Sequence, residues 1–591
     1  MGTFRFAWYG VLTIGLAACN DPLFVANLNQ PDRGRVFSNP TDLEQFVSAL
    51  YANVHAGTLG QGTVLGGGSN DALQPQLQVM GLENVSALAN FAMGPRGAVP
   101  RNPITNARGS QGNVGNYRDW VVEHRAARMA ALAIATLKTF TLGSAARDGR
   151  ARAFSRFAQG VALGNLALAY DSASILTEND NPQADAQVVV PLSGYKVVMA
   201  AALQYLDSAI ALAQADTAKT DGFPLPSTWI NGVSNLDVPN FVRLVRSYKA
   251  RFRASVARTP AERATQDWNA ILADATNGIT TDLRITMNPP PAGGWDMAWV
   301  IQHFATGAAN WHQMSQFWLG MADTSGGYTP WLAGTMPTCG RCAFLVVTPD
   351  RRFPQGTTRG TAVTQAGTQV GNSPGPGGTG QNSPIPFDST PYFRNRPPGE
   401  DQPGDAIGIS QYEFYRSRVF RNANRTGVYP VMTAAEIRLY AAEAQLRVGT
   451  VAAAAALIDV SRTGKGKLSS LVTAAITDTV MRVPGVNGVQ GSNSCVPRIP
   501  DPAANFKATQ CGNIWDALKW EYRMETAYTG YGMWFFAGRG WGDLPEGTAL
   551  DWPVPYQEMD SRAETFYGTG GVGGRDAANR GNYGLFGGGV Y

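Results

Sequence analysis

The sequence predicts a mainly α protein, built of irregular tetratricopeptide-like helical hairpins and interrupted by a large loop-rich excursion containing short strands. Three observations predict it. Between Thr433 and Val448 strong helix formers dominate, with Ile437, Tyr440, Ala441, Ala444 and Val448 spaced for one buried face. Gly449 stops that helix and Thr450 is placed to cap a second, which runs through alanines 452–456 to Leu457, Ile458 and Val460. So short a connection folds the two back as an antiparallel hairpin. Helix-length segments of the same texture recur from about residue 39 to 284, and from 285 to 428 that texture gives way to Pro, Gly, Thr and aromatics. Taken alone, the 429–468 hairpin is equally compatible with an ordinary all-α core.

The elements follow in order. The segment SNPTDLEQFVSALYANVHAG carries Thr41 and Glu44 at capping-box spacing, then Leu43, Phe46, Val47, Leu50, Tyr51 and Val54 at helical spacing, with Gly57 as the stop. Residues 58–116 are rich in Gly, Asn and Gln and read as functional surface. Helices are expected from Tyr117 to Lys138, from Ser144 to Asp171, from Ser193 to Ala215, from Pro239 to Val256 and from Pro260 to Asn277. In the second of these Phe154, Phe157, Val161 and Leu168 form the buried stripe, and Gly164 on the same face allows close approach. After the excursion and the opening hairpin come a Cys-bracketed loop near 484–511, a strong helix from Asn513 to Thr529 and an irregular C-terminal region over 531–591.

Composition narrows the class. Only 16% of the 591 residues are charged, while Gly (67) and Pro (36) are abundant, as in a loop-rich, non-cytosolic protein. A net charge of +4 with no Lys/Arg run speaks against nucleic acid. Met1 to Arg5 forms a short basic n-region and Phe6 to Leu16 an apolar h-region, followed by Leu16-Ala17-Ala18-Cys19. This pattern resembles the lipobox of bacterial lipoproteins, which implies that residues 1–18 are a signal peptide and Cys19 the lipidated first mature residue; a plain secretory signal or a single membrane anchor is the alternative. No other segment reaches eighteen uninterrupted apolar residues, so the rest of the chain, 19–591, is expected to be one tethered, soluble unit. In an exported protein, Cys339, Cys342, Cys495 and Cys511 are best accounted for by two local disulfides. A zinc or redox role for the TCGRC pair would need a partner pair or a thioredoxin-like setting, and neither is evident.

These stretches, taken together, resemble the RagB/SusD family of outer-membrane nutrient-uptake lipoproteins. The lipobox at Cys19 and the DLEQFVSALY helix come first. ARAFSRFAQGVALGNLALAY, YKVVMAAALQYLDSAIALA, AAEIRLYAAEAQLRVG and VSRTGKGKL then follow in the family's order. WEYRMETAYTG matches a family helix through Glu521, Glu525, Ala527 and Gly530, and LDWPVPYQEM a family segment through Pro553, Pro555 and Glu558. Where the family usually carries Glu, Arg and Asp after that last helix, this chain has Thr529, Gly530, Gly532, Trp534 and Phe535, so packing by Met533, Trp534, Phe535 and Phe536 is expected to fix the corner. The resemblance implies a partner, a TonB-dependent SusC-like β-barrel transporter, and a lipid-anchored location on the outer membrane facing the exterior.

No catalytic constellation is evident, no cofactor or metal site is expected, and the chain is not expected to be an enzyme. The helical pairs Glu436/Glu443 and Glu521/Glu525 suit capping and interhelical ion pairs, because one helix cannot present two carboxylates across a cleft. Binding is better supported. Trp295, Trp299, Trp311, Trp318 and Trp331, with Tyr328, crowd the start of the excursion, and flat aromatic faces suit sugar rings. Gln302, Asn310 and Gln313 could bond hydroxyls, and Asn70 and Asp71 are further candidate contacts for an oligomeric ligand such as an oligosaccharide. At least half of the tryptophans are expected to be structural. The competing reading from another class is a membrane-tethered helical-repeat scaffold without a small ligand.

Overall fold

The computed structural model describes residues 37–60, 72–86, 96–97, 101, 104–109, 116–180, 189–215, 222–289, 294–297, 312–360, 367–370, 387–395, 410–414, 416, 420, 423, 425–568 and 582–585. The signal segment and Cys19 lie outside them. Before the excursion come α1 (Pro40–Ser48), α2 (Leu50–Thr58), α3 (Leu73–Met80), β1 (Asn84–Ser86), α4 (Asn116–Thr136), α5 (Ala145–Ala169), β2 (Ser172–Ser174), β3 (Leu192–Gly194), α6 (Tyr195–Gln214), α7 (Val238–Ser255), α8 (Pro260–Ala264), α9 (Trp268–Thr276) and β4 (Leu283–Met287). The excursion holds β5 (His312–Met314), α10 (Gln316–Gly320), α11 (Tyr328–Ala333), β6 (Thr358–Gly360), β7 (Thr368–Val370), β8 (Phe393–Asn395) and β9 (Tyr412–Phe414), and it returns through β10 (Gly427–Met432). Then follow α12 (Ala434–Val448), α13 (Val451–Gly464), β11 (Arg498–Pro500), β12 (Thr509–Cys511), α14 (Ile514–Thr526), α15 (Met533–Trp541) and α16 (Tyr556–Ser561).

Side-chain caps set the helix starts. Ser144 accepts from Arg147 N–H at 3.2 Å, Thr433 from Glu436 N–H at 3.1 Å and Thr450 from Ala453 N–H at 3.2 Å, so the hairpin α12–α13 begins and breaks where the sequence places it. Asn513 and Asp516 form a reciprocal capping box on α14. Three expectations are corrected. The first helix is capped by Asn39 rather than by Thr41 with Glu44, and it is divided at Ala49; Glu44 is drawn away to the guanidiniums of Arg147 and Arg150 on α5. The helix expected over 260–277 is two, because Asp267 caps afresh at Ala270 N–H, 2.9 Å away. Within the Gln-rich stretch read as surface, α3 is wholly buried, its amides engaged: Gln74 donates to the Gly530 carbonyl at 2.9 Å, and Gln76 accepts from Arg96 at 3.0 Å.

The long helices form a continuous array in which α4 packs on α5, α5 on α6, α6 on α7, α7 on α9, α9 on α12, and α12 on both α13 and α14. Close approach requires glycine at the centre: a Cβ on Gly164 would fall 2.3 Å from the Phe252 ring, and one on Gly160 2.9 Å from the Ala202 carbonyl. Since α9 and α12 are neighbours, the excursion is an insertion between adjacent members of the array. Its two ends are tied by the antiparallel ladder β4–β10, with Ile285 opposite Tyr429. The inserted chain does more than rest on the helices. Phe353, Phe393, Tyr412 and Phe414 are buried, and Phe353 stacks on Trp520 of α14 with centroids 6.2 Å apart, continuing one core.

Buried ion pairs align these parts. On one face of α12, Glu436, Tyr440 and Glu443 are nearly inaccessible, and each reaches a different neighbour. Arg251 of α7 donates twice to Glu436, both at 2.7 Å. Arg263 of α8 donates twice to Glu443, at 2.8 and 2.6 Å, and the Tyr440 hydroxyl meets that of Tyr522 at 2.9 Å. Burial alone would raise Glu443, but Arg263 and Arg447 outweigh it and hold the carboxyl below its ordinary range. Glu521 and Glu525 of α14 reach into the excursion rather than to another helix: Arg352 donates to Glu521 at 2.6 and 3.0 Å, and the Tyr392 hydroxyl to Glu525 at 3.0 Å. At the C-terminal corner Met533 to Phe536 are buried as expected, and Asp543 adds a clamp the motif comparison did not supply, accepting from Lys519 and Arg523 at 2.7 Å each. Disulfides join Cys339 to Cys342 and Cys495 to Cys511.

Removing one partner of a buried bidentate pair strands the other charge. Glu436→Ala is expected to lower the unfolding free energy by about 3–5 kcal/mol, measured by urea denaturation. The paired change Arg251→Met with Glu436→Leu should cost less than the single one; the reverse order would show that the pair does not behave as a clamp.

Candidate ligand-binding site

The short helices α10 and α11 turn their largest side chains inward. Trp318 is 1% exposed, Tyr328 1% and Trp331 0%. The Arg523 guanidinium lies 3.5 Å from the Trp318 ring centroid, the Tyr328 hydroxyl donates to the Phe317 carbonyl at 2.7 Å, and the Tyr328 and Trp331 rings stack at 5.8 Å. A ring enclosed on both faces has none to offer a sugar, so these three expected ligand contacts are packing residues. Trp299, Trp311, Asn70 and Asp71, and the amides Gln302 and Asn310, lie outside the described residues. Trp295 is half-buried and packs against the core.

Trp295 is held from two sides. Its ring lies 5.1 Å from that of His55 and 6.3 Å from that of Tyr51, both on α2. The next residue anchors the backbone: the Asp296 carbonyl accepts from His55 Nε2 at 2.7 Å, and its carboxylate meets Arg425 at 2.5 Å. A carbonyl can only accept, so His55 carries its proton on Nε2. Burial lowers this imidazole from 6.5 to about 4, and it is neutral at physiological pH.

Elsewhere in the excursion, β1 pairs with β5, with Val85 opposite Gln313, and so joins the Gln-rich insertion to the aromatic segment. Gln313, Ser315 and Gln316 are buried, yet among the described residues neither amide nor the Ser315 hydroxyl has a hydrogen-bond partner, and the same holds for the indole N–H groups of Trp318 and Trp331. Buried donors and acceptors left unpaired cost free energy, and they cluster where water or a polar ligand completes them. Gln313 stands out in sequence as an amide among tryptophans. Ser315 and Gln316 carry no such signal, because nothing local distinguishes an orphaned amide from a solvated one.

Two adjacent residues of α4 hold the described residues that flank positions 61–71. Arg118 donates to the carbonyls of Ala56 and Gly60 on the near side, and Asp119 accepts from Leu73 N–H on the far side, 3.3 Å away, and from the Tyr531 hydroxyl at 3.0 Å. Burial raises Asp119 from 3.8 to about 7, and it lifts Glu83, which accepts from Tyr528 N–H at 2.5 Å, from 4.5 to about 8. Among the described residues, no group of three or more His, Cys, Asp or Glu side chains gathers as a metal would require.

Two expectations follow for stability. Trp331→Ala leaves a large void and should cost about 3–5 kcal/mol in urea denaturation, whatever ligand is present. For Glu83 the folded state favours the protonated acid, so its contribution is fully present below about pH 4.5 and is lost as pH rises toward 8. His55 and His124, lowered from 6.5 to about 4, act oppositely: their contribution is present above pH 6.5 and lost as pH falls toward 4. Glu83→Gln should therefore flatten the decline of the urea midpoint between pH 5 and 8; an unchanged slope would show that Glu83 ionises without penalty.

No protein-family profile and no curated protein sequence matches the chain. Among solved structures it is similar to a SusD homologue from Parabacteroides distasonis, with a TM-score of 0.50 and 14% identity over 88% of this chain and 93% of that one. A SusD superfamily protein from Bacteroides thetaiotaomicron gives 0.50 at 12% identity, covering 89% and 97% of the two chains. Another from Parabacteroides distasonis gives 0.50 at 12%, covering 88% and 97%. At such identities the correspondence is one of architecture, and it runs nearly end to end: the helical array with its inserted excursion is the SusD fold.

Proposed function

We propose that this protein is a non-catalytic, lipid-anchored capture protein of the outer membrane, which binds an oligomeric nutrient, a glycan, and delivers it to a TonB-dependent SusC-like β-barrel. The observation that carries this reading is the correspondence with SusD homologues over nearly nine-tenths of the chain. The lipobox at Cys19 supports the anchor and an exterior location. Glycan chemistry is supported by the partly exposed Trp295 and, separately, by the buried amides of Gln313 and Gln316, which have no partner among the described residues and whose donors and acceptors complement sugar hydroxyls.

Affinity purification from native membranes should recover a TonB-dependent barrel; its reproducible absence would remove the transport reading. On a polysaccharide panel, the intact protein should bind at least one glycan, and Trp295→Ala should weaken that binding about tenfold, the scale of one aromatic contact. One observation favours the second reading, a tethered helical scaffold without a small ligand: Trp318, Tyr328 and Trp331 are sealed in the core. That reading would prevail if the panel gave no binding and Trp295→Ala changed only stability.

A further inference from the structure

A cleft of about 330 Å³ opens between the loop that leads into α7, the first two turns of α7 and the chain that runs from α9 to β4. It shares no residue with the site around Trp295. Both walls are fixed from behind. On one, Gly232 has φ +79° and lies so close to β4 that a Cβ there would fall 2.0 Å from Thr286 Oγ1. Thr286 N–H donates to the Asn231 carbonyl at 2.8 Å, and Leu225 N–H to the Leu236 carbonyl at 2.9 Å. On the other, Ile279 N–H donates to Ser247 Oγ at 2.8 Å, and Asp282 accepts from Ala434 N–H at 3.0 Å. The cleft is therefore formed before any ligand arrives.

Three charged side chains line it, and two of them cancel. Arg284 pairs with Asp282 at 2.9 Å and also takes Asp388 of the excursion. Asp237, just outside, caps α7 by accepting from Asn240 N–H at 2.9 Å, and Arg246, a turn further along α7, is spent on Asp274 at 3.1 Å. Arg243 remains. It is exposed, its hydrogen bond to the Gly278 carbonyl is long at 3.4 Å, and among the described residues no carboxylate lies within ion-pair reach of it. Donors are in excess as well. The hydroxyls of Ser234, Thr280 and Thr281 and the Asn235 amide line the cleft without a hydrogen-bond partner among the described residues, whereas the Asp282 carboxylate is already engaged on both oxygens.

We infer that this cleft binds an O-sulfated sugar, its sulfate on the Arg243 guanidinium among the hydroxyls of Ser234, Thr280 and Thr281, and the apolar face of its ring on Val233 and Ile279. Charge selects the group: one unmatched guanidinium balances the single charge of a sulfate monoester, whereas a phosphate monoester carries about 1.5 to 2 at neutral pH. A carboxylate has two oxygens, which the guanidinium fork alone satisfies; a sulfate ester presents three terminal oxygens and uses the hydroxyls too. A bare ion would leave Val233 and Ile279, both half-buried, without a partner. The inference does not depend on the capture reading above.

Calorimetric titration of the full chain tests it, with glucose 6-sulfate and galactose 6-sulfate as probes. Glucose, galactose, glucose 6-phosphate and inorganic sulfate are the counterparts. At least one sugar sulfate should bind about tenfold or more tightly than every counterpart, with affinity falling as salt rises. Arg243→Ala should weaken it about tenfold or more, with an unchanged thermal midpoint showing that the fold is intact. The double change Thr280→Val with Thr281→Val, which keeps the charge, should also weaken it about tenfold. Failure of both sugar sulfates to bind, equal binding of any counterpart, or unchanged affinity in either variant overturns the inference.

Discussion

A carboxylate taken out of water is tolerated only where a guanidinium meets it in the right plane, and α12 buries two of them on one face. Arg251 and Arg263 come from α7 and α8, so their forks fix where those helices lie against α12. A shift of one residue would leave an unpaired charge in the core, a far larger penalty than any rearrangement of alanines. The same Arg251 guanidinium also donates to the Val431 carbonyl of β10 at 3.3 Å. The root of the excursion is therefore held by the group that holds the array, and Arg352 on Glu521 repeats the device deeper in.

The helices of the array were legible because their information is local. Capping residues such as Ser144, Thr433 and Thr450, apolar spacing and stopping glycines lie within a few residues of the boundaries they set. Partner choice is not local. Glu521 and Glu525 read as helix-to-helix pairing residues, but Arg352 and Tyr392 stand more than a hundred positions away, in a segment with no helical signal. The buried helix α3 was illegible for a related reason: its glutamines look solvated until Gly530 and Arg96 arrive from elsewhere.

The candidate site shows the same division. Aromatic content correctly marked where the excursion gathers its mass, yet enrichment in tryptophan cannot say which face of a ring remains free. Trp318 and Trp331 are fully buried against neighbouring rings and the Arg523 guanidinium, whereas Trp295, near His55 and Tyr51 of α2, is only half-buried. Rigid neighbours such as His55 and Asp296 supply orientation, and side chains without partners supply hydrogen-bonding capacity. Loops carried on such a scaffold can differ in what they recognise while the scaffold stays the same.

The ladder between β4 and β10 also bears on how the chain can change. Because Ile285 and Tyr429 stand opposite each other, the inserted segment leaves and re-enters at one point. Lengthening or shortening its surface loops alters loop closure only logarithmically. The insertion thus has one fixed junction, while Arg352 on Glu521 and Phe353 on Trp520 tie its interior to α14, so a change of recognition surface has to leave these buried contacts in place.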